Sequence, residues 1–232
     1  MLGRKINGKE DEMQKLIKVR VTFQEETLAT CPGNTKVATD FIHSMAPDAM
    51  SREEEIAAHG ADEVISKSKT IFPKENGKPF IWNYQWKGFM KDACGMLRRV
   101  PGMKSEKLKA YQKVIDGTLF VYPRKIFLEL PEGKKIQEVL GECERPLRAQ
   151  TQQGERVTLA ISETAPLGTK MTFDIKLMNG KLQGELEEWL NYGIDRGFSQ
   201  WRNSGKGIFT WEKLSETILV PDATEVEEKK KI

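Results

Sequence analysis

The residues best suited to grip a ligand run from Gly193 to Phe209: Gly-Ile-Asp-Arg-Gly-Phe-Ser-Gln-Trp-Arg-Asn-Ser-Gly-Lys-Gly-Ile-Phe. Four glycines fall in these seventeen residues, with Arg196, Arg202 and Lys206 between them and Trp201 at the centre. Glycine admits positive φ and close backbone approach, so the segment can turn sharply and present main-chain N–H groups to an anion. The guanidinium of Arg202 can fork onto a phosphate, and Trp201 offers a stacking face. The candidate binding set is therefore Arg196, Gly197, Gln200, Trp201, Arg202, Asn203, Ser204, Gly205 and Lys206. A plainer reading uses the same residues. Gly193 then caps a helix, Gly205 and Gly207 make a tight turn, and Trp201 is a packed aromatic. Local chemistry alone leaves both open.

Elements on either side must hold this loop. Upstream, Leu182, Leu186, Trp189 and Leu190 recur at helical spacing, so the glycines begin where an amphipathic helix ends. Downstream, Gly207-Ile-Phe-Thr-Trp reads as a short strand. A second basic stretch lies earlier, where Lys87, Lys91, Arg98 and Arg99 precede Lys104, Lys107, Lys109 and Lys113. The pattern predicts a helix from Lys87 to Val100, ended by Val100-Pro-Gly. Its first four cations join the candidate set, either as a local basic face or as a solvated helix surface. Phe80, Trp82, Tyr84 and Trp86 fall at every second position. On one strand they would form a base-stacking platform or a strip of core.

Net charge is only +3, from 37 basic and 34 acidic residues among 232, which excludes a strongly cationic nucleic-acid coat. Selective binding by a local basic face suits that balance better. No apolar run approaches the ~20 residues of a membrane helix, and the N-terminal residues lack the apolar core of a secretory signal. Cys31, Cys94 and Cys143 are odd in number and widely spaced. A disulfide framework and a zinc site are both disfavoured, which suits a reducing, cytoplasmic setting. His43 and His59 sit near no cysteine or carboxylate cluster, and Glu187-Glu188 reads as solvated charge. No nucleophile, Walker or zinc-protease motif occurs. The sequence demands neither catalysis nor a cofactor.

In chain order, residues 1–14 read as a flexible arm, and Leu16–Phe23 alternates as a half-buried strand. Residues 31–72 read as an inserted, mainly helical lobe, in which Ser51 and Glu54 can form a capping box. Ile71–Pro79 looks like a hairpin or loop. A strand broken by Pro123 is expected in Leu119–Leu130, and Glu142–Gln153 is polar and irregular. Val157–Ile161 and Met171–Leu177 read as strands turned at Pro166-Leu-Gly, and residues 215–232 as a charged tail. This order approaches βαββαβ, so the expected fold class is α+β with a ferredoxin-like (RRM-like) core spanning residues 15–214.

Three segments resemble the RAMP superfamily of CRISPR-associated RNA-binding proteins, particularly Cas7-like backbone subunits. The first is the glycine-rich basic loop near the end of the chain. The second, Glu163-Thr-Ala-Pro-Leu-Gly-Thr-Lys-Met-Thr-Phe, resembles that family's Glu-x-Val-Pro-x-Gly-Thr-x-Phe strand entry. The third is Lys87-Gly88, which resembles the opening of its first helix, although Lys91 stands in place of the family's arginine. The whole chain also resembles uncharacterised phage and prophage proteins. The resemblance implies RNA or single-stranded nucleic acid as partner, with CRISPR-complex subunits or further copies of the chain beside it. If the chain is phage-encoded, it implies a protein of the host cytoplasm that copies or interferes with an RNA-guided complex. Two alternatives stand: a self-assembling phage-derived subunit without nucleic acid, and a metal-dependent ribonuclease. Asp40 and Asp48 lie in the interval where some family members carry a cleaving aspartate, but no local motif selects either.

Overall fold

The computed structural model describes residues 12–32, 69–131, 140–151 and 154–219. Strand β1 (Gln14–Phe23) shows why these sequences make sheet. Ile17, Val19, Val21 and Phe23 point one way and are buried, while Lys18, Arg20 and Thr22 alternate on the other face. β11 (Lys170–Leu177) repeats the pattern with Met171, Phe173, Ile175 and Leu177. The two pair antiparallel with Val19 opposite Phe173 and Val21 opposite Met171, so their apolar sides face the same core. β7 (Leu119–Tyr122) joins the outer edge of β11, and β12 (Phe209–Leu219) joins that of β1. The resulting antiparallel sheet has the order β12-β1-β11-β7.

Helices cover its apolar face. In α1 (Asn83–Leu97) the buried residues Trp86, Phe89, Met90, Ala93, Cys94 and Leu97 recur at three- and four-residue steps. It packs on α2 (Tyr111–Thr118) and on α3 (Gln183–Asn191), whose Leu186, Trp189 and Leu190 complete the core. The other face of the sheet carries charge, paired as Lys18 with Asp174 and Arg20 with Glu212. The protein is thus mixed α+β, built on several largely antiparallel sheets, with three α-helices of two or more turns among the described residues. None of the described helices is long and apolar enough to cross a membrane.

A second sheet contains β2 (Thr27–Leu28), β3 (Cys31–Pro32), β4 (Lys69–Ile71), β9 (Gly141–Thr151) and β10 (Gly154–Ala165). A third joins β5 (Lys74–Glu75), β6 (Lys78–Trp82) and β8 (Lys125–Phe127). β5 and β6 form the hairpin expected near Ile71–Pro79, with Asn76 and Gly77 both at positive φ as a two-residue Asn-Gly turn requires.

Several expectations change. Glu142–Gln153 is not irregular: most of it is β9, paired with β10 along its whole length. β10 and β11 are not a hairpin, because the turn at Pro166–Thr169 carries the chain from one sheet to another. There Phe23 captures it, accepting from the Gly168 amide and donating to the Thr169 carbonyl. The strands on either side of Pro123 also belong to different sheets. β12 runs to Leu219, beyond the point where the charged tail was expected to start. The helix predicted from Lys87 already starts at Asn83. The capping box, both histidines, Asp40 and Asp48 lie outside the described residues.

Glu188 is the clearest correction. Its carboxylate accepts the backbone N–H groups of Lys104 and Ser105 at 2.7 and 3.0 Å, and also the Ser105 hydroxyl. It thereby caps the 3-10 turn Lys104–Lys107, and Trp189 Nε1 donates to the same hydroxyl at 2.8 Å. Glu188→Ala is expected to lower stability by about 1–3 kcal/mol, because it leaves the donors of buried Ser105 without their acceptor. Urea unfolding of the variant against the parent chain measures it.

Candidate nucleic-acid interface

The loop after α3 is fixed from below by aromatic packing. The one-turn helix α4 (Gly193–Arg196) follows α3 directly, so Gly193 is not a left-handed C-cap. Glycine is needed there for another reason: a Cβ would lie 2.1 Å from the ring of Phe209. Phe198 then turns inward and stacks on Trp86 of α1, with ring centroids 4.3 Å apart. Gly207, at φ +72°, closes the loop. Its carbonyl accepts from the Phe198 amide, its own amide donates to the Glu26 carbonyl, and a Cβ would collide with the Phe198 oxygen.

This closure consumes donors that the sequence reading offered to an anion. The amides of Gly197, Phe198, Ser204, Gly205 and Gly207 all bond within the protein. The cations are held as well. Arg196 donates to Asp92 of α1 through Nε at 2.9 Å and Nη2 at 3.4 Å, and Arg202 donates to the same carboxylate at 2.6 Å. Lys206 meets Glu26 at 3.0 Å, with Glu25 4.0 Å away. Burial pushes the Asp92 carboxyl up, but the hydrogen bonds and charges of the two arginines outweigh it and leave its pKa below the ordinary value. Two guanidinium groups on one carboxylate still leave a net positive centre.

Trp201 does not pack into the core. It is 39% exposed and holds φ +54°, the left-handed region that an aromatic residue rarely occupies. Ser199, two positions earlier, is also at positive φ. Under the indole lies Arg145 of β9, only 8% exposed, with its guanidinium carbon 5.5 Å from the ring centroid. Arg145 donates to the side-chain oxygen of Gln200, and Gln200 donates in turn to the Ala29 carbonyl at 3.0 Å. The Nη1 atom of Arg145 is buried without a hydrogen bond among the described residues. Asn203 and Ser204 are exposed on the short turn that follows, and Gly205 ends that turn at φ +78°.

The basic residues of α1 lie elsewhere. Lys87 and Lys91 share Asp116 of α2, at 3.9 and 2.6 Å, and Arg98 sits over the ring of Tyr111. Burial lowers the Lys87 pKa against the pull of Asp116. At ~100° per residue these three project about 100–140° away from Asp92 around the helix axis. Loop and helix cations therefore occupy different faces of α1, and only Arg99 is left exposed at its end. The aromatic series Phe80 to Trp86 also divides. Phe80 and Trp82 are buried in β6, Tyr84 and Trp86 start α1, and no four-ring platform forms.

A solvent-open pocket of about 260 Å³ lies between the loop and α1. Gln85, Gly88, Phe89 and Asp92 line it from the helix, and Phe198 and Arg202 from the loop. Sequence reading missed Asp92, Gln85 and Gly88 as part of this site. Their three- and four-residue spacing was the available signal. Removing the shared carboxylate tests the arrangement: Asp92→Ala is expected to cost about 1–2 kcal/mol, less than a deeply buried pair because all three groups touch water. Because the folded pKa of Asp92 is lowered, its contribution is present above the unfolded-state value near 4 and is lost as pH falls through the lower, folded one. Acid titration of stability in parent and variant should therefore converge below that range.

No protein-family model matches the sequence, and no curated protein sequence matches it. Among solved structures the fold is similar to a chain of the type III-B Cmr-beta complex bound to cognate target RNA. That match has 10% identity and a TM-score of 0.46, covering 94% of this chain and 68% of the other. It is also similar to a chain of a type IV-B CRISPR complex, with 12% identity and a TM-score of 0.46, covering 92% of this chain and 98% of the other.

Proposed function

We propose that this protein binds RNA, or another single-stranded nucleic acid, on the loop from Gly193 to Phe209. The observation that carries this reading is Trp201, an exposed indole held in a strained left-handed conformation over a buried arginine. Backbone strain persists only where its surroundings enforce it, and such positions cluster at ligand sites. A base stacks on the free face of Trp201, while Arg196, Arg202 and Lys206 meet phosphates by exchanging their carboxylate partners for phosphate oxygens. Gly197 and Gly205 hold the turns, and Gln200, Asn203 and Ser204 supply polar contacts along the same edge. Lys87, Lys91, Arg98 and Arg99 form a second, separate set of phosphate contacts around α1.

The sheet order β12-β1-β11-β7, with α1 and α3 in the two crossovers, supports reading the core as ferredoxin-like. The finer assignment rests on the sequence resemblance: a Cas7-like subunit of phage origin, acting in the cytoplasm on or within an RNA-guided complex. One observation favours a second reading, self-association without nucleic acid. β12 is eleven residues long, lies at a sheet edge that no other described strand covers, and exposes most of its side chains.

Fluorescence anisotropy with a labelled single-stranded RNA separates the two. Trp201→Ala is expected to weaken binding by the ~1–3 kcal/mol of one stacked base. Arg202→Ala with Lys206→Ala is expected to weaken it further and flatten its salt dependence. Unchanged affinity in both variants rejects the site. Oligomers that persist after nuclease and high salt would favour strand-edge assembly.

A further inference from the structure

The pocket beside α1 shares Asp92 and Arg202 with the loop and adds groups of its own. Gln85, Gly88, Phe89 and Asp92 follow the i, i+3, i+4, i+7 pattern, so they form one stripe along the helix. Gln85 and Asp92, at its two ends, lie about 10 Å apart along the axis. Between them the backbone is bare. A Cβ on Gly88 would meet nothing within 4 Å, and Gly88 is not among the residues at positive φ. Neither packing nor conformation among the described residues calls for glycine here, although glycine is a poor residue for a helix interior.

The groups around that bare patch are specific. Gln85 donates one N–H to the Thr30 hydroxyl at 2.9 Å, and its carbonyl oxygen accepts no hydrogen bond among the described residues. Asp92 meets the arginines mainly through Oδ2, while Oδ1 receives only the 3.4 Å contact from Arg196. Phe89 and Phe198 supply apolar walls, and Arg202 lies beside the carboxylate. Flat apolar surfaces, acceptors at both ends and a guanidinium next to one of them suit a planar heterocycle that pairs N–H donors with a carbonyl. Guanine has both, its N1–H and amino group turning to Asp92 and O6 to Arg202. Adenine lacks the carbonyl.

We propose that this pocket takes one unstacked guanine base of a bound single strand, lying on the helix backbone at Gly88. The proposal rests on the nucleic-acid reading of the loop. Its test compares anisotropy titrations of the full chain with three labelled RNAs of about twelve nucleotides: uridines only, the same with one central guanosine, and the same with one central adenosine. The guanosine strand is expected to bind about tenfold more tightly than the other two. Gly88→Ala and Gly88→Leu, which grow side chains into the bare patch, are expected to bring that ratio to near one. The thermal midpoint of Gly88→Ala should be no lower than that of the parent, which separates a blocked pocket from a damaged fold. Equal binding of the three strands by the parent overturns the pocket and leaves the loop reading standing. A ratio that survives both substitutions overturns the pocket as well, and absence of binding to any strand overturns both proposals.

Discussion

The contact on which the rest depends is the packing of Trp86 among Phe89, Phe173, Phe198 and Phe209. These rings come from α1, β11, the glycine loop and β12, so one buried indole joins helix, sheet and candidate site. Each aromatic contact adds about 0.5–1.5 kcal/mol beyond the area it buries. The backbone geometry of the loop follows from this cluster. Phe198 must point inward to reach Trp86, Gly193 must lack a side chain to admit Phe209, and Gly207 must take a left-handed turn to close around Phe198. The strained positions at Ser199 and Trp201 lie on the far side of that anchor, where the chain has little freedom to relax.

Electrostatics then decides what the loop offers. A count of arginines and lysines overstates its free positive charge, because Asp92, Glu25 and Glu26 face those cations in the folded chain. The carboxylates hold these long side chains in place, and an anion that approached them would have to displace that pairing. A backbone phosphate, which also presents two charged oxygens to a guanidinium fork, can take the place of a carboxylate there with the charge pairing kept. The same arrangement leaves Arg145 nearly enclosed behind Trp201, where its charge polarises the indole that faces solvent.

Much of this was legible in the sequence, for identifiable reasons. β1 and β11 alternate cleanly because one face is core and the other charged, and α3 shows its apolar stripe just as clearly. β9 was not legible, because Glu-Cys-Glu-Arg-Pro-Leu-Arg has no continuous apolar face to display. Alternation from Phe80 to Trp86 misled, since the period of two runs across the boundary where strand β6 becomes α1. Trp86 belongs to both patterns and decides nothing alone. Adjacent strands usually pair, and that default made a hairpin of β10 and β11, which the Phe23 contacts separate. Within the site, Trp201 and the basic residues were visible as types. Asp92 and Glu26, which restrain them, stand far away in the chain and carry no local mark.

β12 pairs with β1, so the first and last described strands lie side by side, and the glycine loop is the segment that leads into β12. A polypeptide still leaving the ribosome has α1 and its stripe in hand but lacks Phe198, Phe209 and the strand that seats them. A chain cut before Phe209 therefore keeps α1 but loses the rings and the strand that give the loop its shape.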